Sequence, residues 1–158
     1  MEVKKFYNSP IGVLIIGATD DYITSLYMLD EKEVDEKRNT VTSEAVKIID
    51  DCIKQLDEYF EGKRKVFDIK FKNIGTSFRE KVWQELEKIP YGTTISYGEL
   101  AVLVGNSKAS RAVGGANHNN KISIIVPCHR VIGANGSLTG YGGGLWRKEW
   151  LLAHEKRF

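Results

Sequence analysis

The stretch SYGELAVLVGNSKASRAVGGAN, Ser96 to Asn117, decides how the second half of the chain folds. Ser96 and Glu99 stand three apart, the spacing at which a hydroxyl and a carboxylate cap each other's backbone at a helix start. A short helix therefore opens at Ser96. Gly105-Asn106 supplies a tight turn, and a second helix is expected from Ser107 onward. A short helix, a glycine-containing turn and a second helix make a helix-turn-helix. The second helix is almost without bulk: Ala109, Ser110, Ala112, Gly114, Gly115 and Ala116 line it, although each interior glycine costs about 1 kcal/mol relative to alanine. Small residues let another backbone come close, either a neighbouring helix or the floor of a DNA groove. Arg111, the long cation in the middle, favours DNA. With few polar side chains to read base edges, the helix suits shape or minor-groove recognition with little sequence preference.

Downstream, KISIIVP (Lys121 to Pro127) reads as a buried strand, and IIVPCHRVIG (Ile124 to Gly133) puts Cys128 just past its end. Pro127 presets a turn. A free thiol titrates near ~8.5 and is mostly protonated at neutral pH. A helical turn, a cation or a histidine base can change that. The two basic side chains that follow, His129 and Arg130, suggest a thiolate. A histidine base needs an orienting partner, and Glu155 is the best remote carboxylate. IGANGSLTGYGGG is glycine-rich but lacks the spacing of a nucleotide-binding loop. LWRKEWLLAHE closes the chain as a helix with Lys148, Leu152 and Glu155 on one face. Trp146 and Trp150, four apart, are expected to pack against the body.

Upstream, Ser77-Phe-Arg-Glu80 is a second capping-box pattern. It opens a helix with Phe78, Val82, Leu86 and Ile89 on one face, ended by Pro90-Tyr91-Gly92. At the start of the chain, VKKFYN, IGVLIIGAT and YITSLYML have strand length and pattern, separated by turn residues, and read as an antiparallel meander. DEKEVDEKRNT (Asp30 to Thr40) reads as a charged loop. A helix follows, capped by Thr42 or Ser43 and closed near Gly62. Its apolar stripe is Ala45, Ile48, Ile49, Cys52, Ile53, Leu56, Tyr59 and Phe60, which makes Cys52 a core residue. VFDIKF (Val66 to Phe71) alternates as a strand. The chain is thus read as an α/β unit over residues 1–71 and a mainly α unit over residues 72–158.

Composition bounds the function. The 158 residues suffice for one ordinary domain or two small ones. No apolar run is long enough to cross a bilayer, and the N-terminus lacks a signal-peptide core. Two cysteines far apart make no disulfide framework, so a reduced, intracellular location is expected. Residues 1–71 hold 11 Lys and Arg against 15 Asp and Glu, a net of −4, while residues 72–158 hold 12 against 6, a net of +6. That split is either ordinary surface charge or the mark of a polyanion partner for the C-terminal unit.

Three kinds of protein use such parts: a cysteine hydrolase or acyltransferase, a DNA-binding redox sensor, and an acceptor that removes alkyl groups from DNA. The first wants an oxyanion hole that has no signature here. The second often has a resolving cysteine, and Cys52 is far off in sequence.

SYGELA, SRAVGGAN, PCHRVIG and GGLWRKEWLLAHE, in this order and spacing, closely resemble the methylated-DNA–protein-cysteine methyltransferases, or O6-alkylguanine-DNA alkyltransferases. SPIGVLIIGAT and LDEYFEGKRKVFDIKF resemble the same family's N-terminal part, so most of the chain is covered. The resemblance implies a ribonuclease-H-like α/β domain followed by a catalytic domain with a winged-helix-like helix-turn-helix. It implies that Cys128 accepts the alkyl group from O6-alkylguanine in double-stranded DNA, once and irreversibly, with O4-alkylthymine a second candidate substrate. His129 matches the water-linked base and Glu155 its carboxylate partner. Asn120 matches the asparagine that ties the active-site turn to the helix-turn-helix, and Tyr97 the tyrosine beside the base. Arg111 matches the finger that replaces the extruded nucleotide, with Ser107, Ala109, Ser110, Ala112, Gly114 and Gly115 around it on DNA. Asn117, Val131, Gly142, Gly143 and Lys148 match the substrate pocket. No cofactor, metal, membrane or obligate protein partner is implied, and the protein is expected to be a cytoplasmic monomer, or nuclear in a eukaryote.

The chain departs from the pattern at a few places. Asn117 stands where many members have methionine, Lys121 and Ser123 where some have proline, and Gly142 where some have serine. Residues 1–71 hold Cys52 and no histidine, so the structural zinc site of some members is not expected. The alternative function is a sensor that binds alkylated guanine without transfer.

Overall fold

The computed structural model describes residues 2–29, 44–138, 141 and 144–158, and in the first long helix the side chains from Val46 on. The expected loop at Asp30–Thr40, the capping by Thr42 or Ser43, the Ala45 side chain, and Gly142 and Gly143 lie outside the described residues. Two compact units follow each other along the chain, Met1–Lys72 and Asn73–Phe158.

The first unit is built on three antiparallel strands, β1 (Val3–Ser9), β2 (Gly12–Ala18) and β3 (Ile23–Met28), in the order β1-β2-β3. Ser9 and Gly12 face each other across the first turn, and Gly12 has φ 101, a backbone conformation glycine takes without steric cost. Helix α1 (Glu44–Phe60) lays Ile49, Cys52, Leu56 and Tyr59 into the core with Leu14, Ile16, Ile23 and Leu26. Gly62, at φ 78, ends it. Cys52 is fully buried, as its place on the stripe requires.

VFDIKF is not a regular strand. One parallel bridge joins Ile23 to Phe71, and Val66 is exposed. The Gln55 side chain explains the difference. It donates to the Asp68 carbonyl at 3.0 Å and accepts from the Asp68 amide at 2.9 Å, taking the two backbone groups that a ladder would use.

The second unit begins with α2 (Ser77–Glu87), which buries Val82, Trp83 and Leu86. Its cap is Thr76 rather than Ser77: the Thr76 hydroxyl accepts from the Arg79 amide, and Glu80 accepts from the Gly75 amide instead of acting within the expected box. Phe78 remains partly exposed. Strand β4 (Ile95–Ser96) leads into α3 (Tyr97–Leu103), where Ser96 and Glu99 do form a reciprocal capping box. The turn at Gly105 (φ 88) then carries the chain to α4 (Ser110–His118).

Helix α4 starts three residues later than expected. The Asn106 side chain accepts from the Lys108 amide and its carbonyl from the Ala109 amide, so residues 106–109 close a turn of their own before the helix begins. Val113 and Ala116 face the core, and the Trp83 indole donates to the Ala116 carbonyl at 2.8 Å, fixing α4 to α2. A short β5 (Val131–Ile132) pairs in parallel with β4, Ile95 against Val131. Helix α5 (Leu145–Arg157) closes the unit with Lys148, Leu151, His154 and Glu155 buried. Trp146 does not pack as expected. It is 53% exposed, with the Arg147 guanidinium over its ring at 4.7 Å, whereas Trp150 stacks on His154.

Candidate active site

The thiol sits on backbone organised by one amide side chain. KISIIVP is not a strand but a series of turns, in which Asn120 stands in for a ladder partner. Asn120 Oδ1 accepts from the Ile122 amide at 3.1 Å, while Nδ2 donates to the Val126 carbonyl at 2.8 Å and the Ile122 carbonyl at 3.3 Å. Between these anchors Ile124 is held at φ 72, a left-handed conformation that a β-branched residue adopts only when its surroundings impose it. Pro127 then leads into a 3₁₀ turn, Cys128–Arg130, closed by the Arg130 amide on the Pro127 carbonyl. The Asn117 amide adds a bond from α4 to the Cys128 carbonyl at 3.2 Å.

Cys128 is 4% exposed. Burial pushes its pKa up, against the Asn120 amide, the Lys148 charge and the Ser123 hydroxyl, which pull it down. The resting group is therefore a thiol surrounded by groups that favour its anion. Lys148, itself buried, is lowered to about 8 by desolvation. Its ammonium lies 5.7 Å from the centre of the Tyr97 ring, and Tyr97 in turn approaches Gly114 of α4. Val131 is fully buried.

Behind the thiol lies a buried charge cluster. His129 Nε2 is 2.7 Å from Glu155 Oε2, and Arg130 grips the same carboxylate through Nε at 2.8 Å and Nη2 at 3.0 Å. Arg130 also donates to the Ile89 carbonyl at 2.7 Å, and the Gly92 amide donates to Glu155 Oε1 at 3.2 Å. Burial raises the Glu155 pKa, but its bonds with His129 and Arg130 and the Arg130 charge overcome this and hold it well below the usual carboxylate range. Burial lowers His129, outweighing the pull of Glu155, so the imidazole rests neutral. An ionised carboxylate can only accept. The His129 proton must then sit on Nε2, leaving Nδ1 a lone-pair nitrogen, buried and with no hydrogen-bond partner among the described residues.

One sequence expectation changes here. Arg130 does not act on the thiol; its charge is spent on Glu155, and the cation that bears on Cys128 is Lys148. The sequence does not point to the Ser123 hydroxyl, nor to the grip of Arg130 on Glu155, for which closeness to Cys128 in PCHR is the one available signal. On α4 and the turn before it, Ser107, Ser110, Arg111, Ala112 and Gly115 are exposed, with Ala109 and Gly114 half-buried. A Cβ at Gly115 would meet nothing within 4 Å. The small-residue face is thus open to a partner around the Arg111 side chain. Among the described residues no cluster of three or more His, Cys, Asp and Glu could hold a metal ion, and no helix is long and apolar enough to cross a membrane.

A helix-turn-helix unit with a buried cysteine beside a His–Glu pair, following a small sheet unit, defines a class of protein whose members are known. Residues 77–157 match the DNA binding domain of 6-O-methylguanine DNA methyltransferase, and residues 3–72 match its ribonuclease-like domain. The chain belongs to this family. The methylated-DNA–protein-cysteine methyltransferase of Mycolicibacterium paratuberculosis is 48% identical over 95% of this chain and 90% of its own. The constitutive enzyme of that name from Bacillus subtilis is 49% identical over 85% of this chain and 83% of its own. The crystal structure of Mycobacterium tuberculosis OGT in complex with DNA superposes with a TM-score of 0.86 at 45% identity, covering 98% of this chain and 92% of that one. The two-domain fold read from the sequence, a small sheet domain and a helical DNA-binding domain, is the fold of these relatives.

Proposed function

We propose that this protein repairs DNA by transferring the alkyl group from O6-alkylguanine to Cys128, as a methylated-DNA–protein-cysteine S-methyltransferase spent in a single turnover. The observation that carries the reading is the buried Cys128 turn backed by the 2.7 Å His129–Glu155 pair. Sγ attacks the saturated carbon on O6. The S–C bond forms as the C–O6 bond breaks, and the electron pair leaves with guanine. The thiol proton passes to His129 Nδ1 through a water, and guanine takes up a proton in exchange, so the protein returns to neutral with a thioether. A thioether has no ready leaving group, so no second turnover follows.

The remaining residues serve that step. Glu155 fixes the His129 tautomer and stabilises the imidazolium as it forms, the role of an orienting carboxylate beside a general base. Tyr97 and Lys148 line the side of the pocket where charge develops on the leaving base, the place at which a preorganised donor or cation lowers the barrier. Asn117 and Val131 complete the wall. The target base must leave the stack to meet a buried thiol, at a cost of a few kcal/mol. The face of Ser107, Ala109, Ser110, Ala112, Gly114 and Gly115 sits in the groove while Arg111 fills the gap. The protein needs no cofactor, acts as a monomer, and works in the cytoplasm, or in the nucleus of a eukaryote.

Incubation with DNA carrying labelled O6-methylguanine tests the reading. One label per protein is expected, on the peptide containing Cys128. Label that stays on DNA, or turnover beyond one equivalent, would overturn it. Arg111→Ala should slow repair of duplex DNA at least ten-fold more than repair of a single strand, where less stacking is broken. Equal slowing on both substrates would reduce Arg111 to a phosphate contact, whose loss weakens binding in a salt-dependent way.

A further inference from the structure

Asn120 orders the thiol turn, and its own orientation has a second keeper. The Asn73 side chain donates from Nδ2 to Asn120 Oδ1 at 2.7 Å. The direction of this bond is forced. Asn120 Oδ1 already faces the Ile122 amide, and Nδ2 already faces the Ile122 and Val126 carbonyls. Only a donor can meet Oδ1 from the remaining side. Asn73 Oδ1 is left buried without a hydrogen-bond partner among the described residues. One residue on, the Lys121 ammonium donates to the Ile74 carbonyl at 2.6 Å. Two consecutive residues leading into α2 are thus tied to two consecutive residues of the hinge between α4 and the Cys128 turn.

We infer that Asn73 is a positioning residue for alkyl transfer, locking the Asn120 amide in the orientation that presents its N–H group to the Cys128 turn and thiol. This rests on the proposed transfer to Cys128. Without the Asn73 donor, Asn120 Oδ1 keeps one partner instead of two. The amide is then held less tightly, and its N–H group is less firmly kept against the turn and the sulfur. An N–H toward the sulfur favours thiolate, whereas an oxygen opposes it. The other charged or titratable groups that bear on the thiol include Lys148 of α5, Tyr141 and the adjacent His129, and substitution at Asn73 leaves all three in place. Asn73 touches no reacting atom, so its effect runs through Asn120 alone.

The test compares Asn73→Leu, a neutral side chain of nearly the same shape with no donor, and Asn73→Asp, which puts an oxygen where Nδ2 stood. Two readouts are followed in the full-length protein: single-turnover methyl transfer from DNA, and the pH dependence of Cys128 alkylation by iodoacetamide without DNA. In both variants the alkylation profile should move to higher pH. Transfer at neutral pH should fall roughly ten-fold, the change in thiolate fraction from about one pKa unit, with DNA affinity unchanged. If Asn73 only fills space, Asn73→Leu keeps the wild-type profile and rate, and the inference is overturned. Lys121→Met gives a check that does not touch Asn73: a smaller shift in the same direction supports the clasp, and a wild-type profile in all three variants overturns it. Wild-type protein that alkylates normally with iodoacetamide but takes no methyl group from DNA would instead defeat the proposed function.

Discussion

Cys128→Ser should leave the protein folded and able to bind DNA while abolishing transfer, a loss of more than about a thousand-fold, or ~4 kcal/mol of barrier. Serine occupies nearly the same volume, and the turn around it is held by Asn120, Asn117 and Arg130 through backbone groups that the substitution does not touch. The nucleophile changes completely. A hydroxyl holds its proton far more tightly than a thiol, and the same burial that raises the Cys128 pKa acts on it as well. Neither neutral His129 nor Lys148 can make an alkoxide from it. Sulfur is also the better match for a saturated carbon. Duplex affinity within about two-fold of wild type, with no label on protein by mass mapping, is the expected result. A serine variant that still takes up label would move the acceptor elsewhere. Cys52 is a poor substitute: it is fully buried in the other unit, and desolvation pushes its thiol up to about 12.

The parts of this molecule that follow from local rules were legible in its sequence. The Ser96/Glu99 box, the Gly105 turn, the three-stranded meander and the α1 stripe each depend on residues close together in the chain, and each is present. So is the contact between His129 and Glu155, which the choice of Glu155 as a remote carboxylate in the terminal helix anticipated. What misled were side chains that replace backbone partners. VFDIKF and KISIIVP both have the composition of strands. Gln55 and Asn120 satisfy their backbone groups from outside any ladder, and no local pattern reveals an amide side chain reaching that backbone. Asn106 delays α4 in the same way. Arg130 misled for a related reason. Two residues after Cys128 in a 3₁₀ turn, its side chain is held by Glu155 and the Ile89 carbonyl and not by the sulfur.

Glu155→Gln should damage both stability and chemistry, and with distinct pH signatures. Glu155 accepts from the Gly92 amide, from His129 and from two nitrogens of Arg130. A glutamine offers one oxygen and turns an NH₂ group toward donors, leaving the Arg130 charge buried and uncompensated. Breaking a buried ion pair on one side costs about 3–5 kcal/mol. The sign of the pH dependence follows from the shifts. Glu155 lies below its ordinary value in the fold, so its contribution is complete above the carboxylate value of 4.5 and is lost as pH falls below it. His129 is also lowered, so the stability of its neutral form is complete above 6.5 and erodes as pH falls from there. The variant lacks the first and steepens the second, because Glu155 is the group that pulls the His129 pKa back up. The stability gap between wild type and Glu155→Gln should therefore be present at neutral pH, widen as pH falls from 6.5, and shrink below about 4.5, the ordinary carboxylate value. The chemical loss comes from the tautomer. A glutamine NH₂ facing His129 favours acceptance at Nε2, which moves the imidazole proton to Nδ1 and removes the lone pair that takes the thiol proton. Replacing the orienting carboxylate of a serine-protease triad by its amide costs ~10⁴ in rate. Here the base acts through water, and a loss of roughly 10²–10³ in single-turnover rate is expected, at DNA affinity near wild type. Denaturant unfolding across pH and single-turnover transfer at saturating DNA measure the two effects separately. A variant as stable as wild type at neutral pH, transferring within a few-fold of its rate, would remove Glu155 from both roles.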